Sequence, residues 1–182
     1  MQPATSIQAI LAYPSASMIH FLISYVVAFI ALGLTALWYI WPSMRDHAPK
    51  AALTPLLLYS CLRVNGLMFL MPGLVSPDLP KDFAVPTAYG DLTAVILALL
   101  ALACVRAESV LALPMVWLFN IEGTLDLIYA NISTFKDHVD PVQLGASYYL
   151  PAINVPAEFV VHMLIFVYLV RVPQSRTAQA RR

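Results

Sequence analysis

Long apolar stretches, broken at intervals by short polar clusters, set the pattern of this chain. A helix needs about 20 apolar residues to cross a bilayer. Five stretches reach that length: residues 18–41, 51–71, 86–105, 111–133 and 148–170. Pro42 ends the first, and Pro72-Gly73 ends the second. The clean apolar run of the third, Leu92–Val105, is too short to span. Starting it at Pro86, a residue suited to a first helical turn, makes it long enough and leaves Asp91 just inside one end. Ser109 is read as the N-cap of the fourth. The pattern predicts an all-α, polytopic integral membrane bundle of five transmembrane helices. Residues 1–17 precede it and a basic tail, 171–182, follows it. The first segment is long enough to span, and no Lys or Arg occurs in residues 1–17, so it reads as a retained helix rather than a secretory leader.

Composition sharpens this reading. Of the 182 residues, 60% are hydrophobic and 11% charged, against roughly 25% charged in a soluble domain. A net charge of zero gives no reason to expect a nucleic-acid partner. The expected surroundings are a lipid bilayer, in a cell or internal membrane. Cys61 and Cys104 both lie in apolar stretches and read as small core residues. Loop charges set the direction. One set of loops carries Arg45, Lys50, Arg106, Arg171, Arg176, Arg181 and Arg182, seven in all, and the other carries only Lys81 and Lys136. The split alternates loop by loop as five spans require. It predicts the N-terminus outside and the C-terminus in the cytoplasm.

The chemistry lies in the polar residues inside the spans. An ionisable group at mid-bilayer costs about 2.5–3.5 kcal/mol on insertion scales and marks a functional site by default. Arg63 falls near the middle of the second span, Glu122 of the fourth and Glu158 of the fifth. At 100° per residue, Glu122, Asp126, Tyr129 and Ser133 share one face of the fourth helix. Asn120, Thr124 and Asn131 share the opposite face. The expectation is a fourth helix contacted all round at the bundle centre, with the first and third helices facing lipid. On the fifth helix Glu158 and His162 are one turn apart and Asn154 precedes them by another, with Pro156 between as a kink.

These residues predict one polar cavity. Glu122, Asp126, Glu158 and His162 are its candidate acid–base groups. Arg63, Asn65, Asn120, Tyr129 and Asn154 are its candidate orienting groups. The surplus of acids over bases suits proton transfer at a dry site. The expected function is an acid–base enzyme, of isomerase, cyclase or epoxide-opening type, for a hydrophobic small molecule and without a cofactor. Two alternatives stand beside it. A proton-coupled transporter would use the same carboxyls, and at this size would need a homo-oligomer. A purely structural network would explain the Asn and Thr residues better than three mid-depth carboxyls. No metal is expected: HExxH is absent, and a second mid-span histidine for haem is lacking.

Overall fold

The computed structural model describes residues 15–179, with side chains described as far as Arg171. The expected segment 1–17 therefore falls largely outside the described residues, as do Arg181, Arg182 and the side chain of Arg176. The described chain is all-helical. Five long helices form it: α1 (Ala16–Met44), α2 (Pro49–Leu70), α3 (Lys81–Arg106), α4 (Ala112–Lys136) and α5 (Val155–Gln179). A short 3₁₀ helix, Pro141–Tyr148, and a π-helical turn, Leu150–Asn154, lead into α5.

By length and apolarity four helices can cross a membrane: α1, α2, α3 and the stretch Leu150–Arg171. At 25 residues α4 is as long as these. Its interior holds Asn120, Glu122, Thr124, Asp126 and Asn131, which lower its hydropathy.

Proline accounts for most departures from the expected boundaries. Pro86 does not begin α3. The helix starts at Lys81, capped by Pro80, and Pro86 sits inside it. At 1.5 Å per residue this moves Asp91 about 15 Å into the helix, close to half the hydrocarbon thickness. A π turn, Leu150–Asn154, stands just before Pro156. Proline lacks the N–H that would bond the carbonyl four residues back, and the wider π turn re-pairs the neighbouring groups. A second π turn, Ala36–Ile40, precedes Pro42, so α1 passes through that proline to Met44. Ser109 is not the N-cap of α4, which is Leu111. Its Oγ instead accepts from the Leu111 N–H at 3.2 Å. The end expected at residue 170 is passed as well, since α5 runs to Gln179.

The second half of α2 is a 3₁₀ helix, Cys61–Leu70. Ten residues is long for this form, which usually runs for three or four and often marks a functional hinge. With three residues per turn, every third side chain eclipses. Ser60, Arg63, Gly66 and Phe69 accordingly make one straight buried stripe.

α3 packs between α2 and α4, yet its outer face is exposed. With 33% of its apolar window buried it is, after α1, the least buried of the four candidate spans, as expected. Ala94, Ala98 and Ala101 are fully buried along one stripe. Small residues let helix backbones approach closely, which is what drives association where lipid removes the hydrophobic effect. The expectation that α4 is contacted all round fails. Leu118, Ile121, Leu125, Ile128, Ile132 and Phe135 form an exposed apolar stripe at helical spacing. α1 is the outlying helix, with 11% of its apolar window buried against 56% for Leu150–Arg171.

The two ends of the bundle differ. One carries Arg45, Lys50, Arg106 and Arg171, tied by Lys50–Glu108 (2.8 Å), the Tyr168 hydroxyl on the His47 carbonyl (2.8 Å) and Arg171 over the Trp41 ring. Lys50 holds the Glu108 carboxyl below its usual range by its hydrogen bond and its charge. The other end is a folded lid. The Ser76 N–H donates to Gln143 O (2.8 Å) and the Ala146 N–H to Leu74 O (2.9 Å). Phe21, Phe69, Leu79, Phe83, Val139 and Leu144 form a small core under it. Gly145 sits at φ 53°, a conformation suited to glycine, where a Cβ would strike the Leu74 carbonyl.

Candidate functional site

The 3₁₀ stripe delivers Arg63 into the bundle, where its side chain is 1% exposed. Nε donates to Asp91 Oδ1 at 2.7 Å, and Nη2 donates to Asp126 Oδ2. Nη1 donates to the Gly123 carbonyl at 3.2 Å. Arg63 thus joins α2, α3 and α4 through one guanidinium. Its planar fork suits two carboxylates better than a lysine would.

His162 completes the arrangement from α5. Its Nδ1 lies 2.7 Å from Asn120 Oδ1, while Asn120 Nδ2 donates to the His162 carbonyl at 3.2 Å. An amide oxygen only accepts, so Nδ1 is the protonated nitrogen. Nε2 then turns its lone pair to Arg63 Nη1, 3.5 Å away. The ring also packs on Phe119, with centroids 5.1 Å apart. His162 positions Arg63 and does not line the cavity.

Close approach is possible because glycine stands at each crossing. A Cβ on Gly66 would strike Asp91, and one on Gly90 would strike Asp126. A Cβ on Gly123 would lie 2.6 Å from His162 Cε1 and 2.9 Å from Arg63 Nη1.

Glu158 is the buried carboxyl with no cation in contact. Oε2 accepts from Ser60 Oγ at 2.9 Å, and Oε1 is buried without a partner. Asn154, one turn earlier, accepts from the Tyr59 hydroxyl at 3.1 Å.

These groups border a cavity of about 160 Å³. Its lining includes the polar Arg63, Asp91, Asp126, Asn154 and Glu158 and, among its apolar and aromatic side chains, Phe21, Tyr25, Phe69, Phe83 and Phe135. Thr87 also lines it, and its Oγ1, like Glu158 Oε1, is buried without a partner. Orphaned buried polar atoms are rare in folded proteins and call for an explanation. The volume matches the dry cavities of about 150 Å³ that take up a benzene ring.

Several expected members lie elsewhere. Asn65 and Tyr129 are exposed on the outer surface of the bundle. A 3₁₀ turn carries Asn65 two-thirds of a turn from Arg63, and Tyr129 falls beside the apolar stripe of α4. Glu122 is half-buried with Oε2 unpartnered, outside the cavity. Asn120 is buried but spent on His162. Asp126, Glu158, Arg63 and Asn154 do come together. Asp91, Ser60 and Thr87 were missed. For Asp91 the signal was present, because a helix begun at Lys81 puts it level with Arg63.

The sequence profile of one family matches residues 20–170, which include every residue of this cluster. The chain belongs to that family, a domain of unknown function (DUF8737). Neither the curated proteins nor the solved structures yield a match. The residues of the ion-paired cluster and of the cavity all lie within the matched span.

Proposed function

We propose that this chain is a membrane-embedded acid–base enzyme for a small lipophilic molecule, with Glu158 and Asp126 as its proton-transfer pair. The observation that carries the reading is the orphaned, buried Oε1 of Glu158, a residue that lines a ring-sized, mostly apolar cavity. A structural network would use its polar atoms on one another, as Arg63 does with Asp91 and Asp126. It gives no reason to leave Glu158 Oε1 and Thr87 Oγ1 unpartnered beside a cavity. Reading α4 as a fifth span, with the Lys/Arg-rich end in the cytoplasm, agrees with the loop charges.

A double-bond shift fits the geometry. Glu158 adds a proton to one alkene carbon, and Asp126 removes a proton from the carbon beyond the other. The double bond moves by one position. Between turnovers Asp126 releases its proton to water and Glu158 takes one from water, which restores the site with no net change in protons. Arg63 and Asp91 hold Asp126 in place, and the apolar walls exclude water.

Such an enzyme exchanges carbon-bound hydrogen with solvent. Membranes containing the protein, incubated in D₂O with their native lipid extract, should build deuterium into a lipid-soluble species detected by mass spectrometry. Glu158→Gln should abolish that incorporation while leaving thermal unfolding unchanged. Incorporation at the wild-type rate in Glu158→Gln, or a variant that only loses stability, overturns the reading.

A further inference from the structure

We propose that the cavity is loaded from the bilayer, through the slot between α1 and α4, by an amphiphile that enters head first. This rests on the reading of the cavity as a site for a lipophilic molecule. It adds the route, the shape of the ligand and its orientation.

The mouth is located by exposure. Among the residues lining the cavity, those that are also exposed are Leu22 (37%) on α1 and Phe135 (56%) on α4. The helix contacts agree. α1 packs chiefly on α5, the π turn and the 3₁₀ helix of the lid, while α4 packs on α3 and α5. Both helices line the cavity without packing along one another. Tyr25 of α1 faces Asn131 of α4 across this slot.

The other exits are shut. Toward the lid, the buried core of Phe21, Phe69, Phe83 and Leu144 covers the cavity. That cover is held by the paired backbone of the two loops and by Gln143 Nε2 on the Asp78 carbonyl (3.1 Å). Toward the basic end, Tyr59–Asn154, Ser60–Glu158 and His162–Asn120 form a hydrogen-bonded floor. Below it lie the fully buried Leu57 and Phe119.

The lining sets the orientation. The carboxyls and the guanidinium come from the buried side of the bundle, whereas the mouth carries Leu22 and Phe135 beside Tyr25 and Asn131. A ligand therefore puts its hydrogen-bonding head inside. A space of about 160 Å³ takes a head of single-ring size, so a longer tail must stay among the lipid chains.

The test uses single cysteines in the full chain, with Cys61 and Cys104 replaced by alanine, reconstituted in liposomes. Thr87→Cys is close to isosteric and breaks no hydrogen bond, because Thr87 Oγ1 has none. Thr134→Cys, also in the lining, serves if that variant fails to fold. Val142→Cys on the exposed lid is the water-accessible control. N-ethylmaleimide, which partitions into bilayers, should label Thr87→Cys. A permanently charged methanethiosulfonate should label Val142→Cys and spare Thr87→Cys. Adding Leu22→Trp and Phe135→Trp should slow maleimide labelling of Thr87→Cys severalfold and leave Val142→Cys unaffected. Decan-1-ol should protect Thr87→Cys, and decane should not.

Any of four results overturns the proposal. These are charged-reagent labelling of Thr87→Cys at the lid rate, no maleimide labelling there, no effect of the tryptophans, or equal protection by the alkane. Labelling needs no turnover. Lipid-side labelling together with deuterium exchange indifferent to Glu158→Gln would sink the acid–base reading alone. Water-side labelling with exchange lost in Glu158→Gln would sink the entry route alone.

Discussion

Replacing Arg63 by methionine keeps the length of the side chain and removes its charge, leaving Asp91 and Asp126 facing one another across α3 and α4. Both carboxyls are largely buried, with side chains 16% and 11% exposed. Removing one partner of a buried ion pair costs about 3–5 kcal/mol, because the remaining charge has no compensation. For a protein of this length each kcal/mol shifts the unfolding midpoint by about 2–4 °C. The expected fall is therefore about 6–20 °C. Thermal unfolding in nanodiscs, followed by tryptophan fluorescence, measures it. The triple variant Arg63→Met, Asp91→Asn, Asp126→Asn separates charge from packing. Replacing a whole buried ion cluster by neutral groups is often close to neutral in stability, so the triple variant should recover most of the loss. A midpoint unchanged in Arg63→Met would show that the cluster does not hold the helices together. A triple variant as unstable as the single one would show that the loss is packing, and would refute the electrostatic account.

Three further outcomes follow from particular contacts. Gly123→Ala gains helix propensity but puts a methyl 2.6 Å from His162 Cε1; overpacking at about 1–3 kcal/mol outweighs the about 0.5–1 kcal/mol gained, so its unfolding midpoint should fall. On α4, Phe119→Ala should cost about 3–5 kcal/mol because Phe119 is fully buried, whereas Leu125→Ala, at a position 61% exposed, should leave the midpoint nearly unchanged. Asp140 accepts from the Val142 N–H (3.0 Å) and from Ser17 Oγ (2.8 Å), and the first of these, then the second, holds its carboxyl below the usual range. A depressed folded value means that the lid gains stability above the unfolded value, about 3.9, and loses it as pH falls through the folded one. Hydrogen exchange of residues 141–148 should accelerate there, and in Asp140→Asn that added pH dependence should vanish.

Apolar run length and the placement of prolines and loop charges made the helical bundle legible in the order of residues alone. These are local properties, and a bilayer makes them decisive because every backbone group must bond within its own helix. The mid-depth ionisable residues were legible for the same reason: each is costly alone, so each announces a partner or a purpose. Arg63, Asp126 and Glu158, singled out in this way, lie together at the cavity.

Their partners were not legible, because pairing depends on helix rotation and depth. An α-helical period predicts one face for residues 60–70, whereas the 3₁₀ form chooses another, burying Ser60, Arg63, Gly66 and Phe69 and turning Asn65 outward. Starting α3 five residues late hid Asp91 from Arg63. The polar residues of α4 suggested a helix enclosed on every side. The structure instead spends Asn120 and Asp126 inward and leaves an apolar stripe to lipid, because α3, through Ala94, Ala98 and Ala101, packs closely enough to take the place beside α2. Which residues carry charge, and at what rough depth, was a property of the chain. Which charge meets which, and which oxygen of Glu158 is buried without a partner, was decided only by the close packing of five helices against one another.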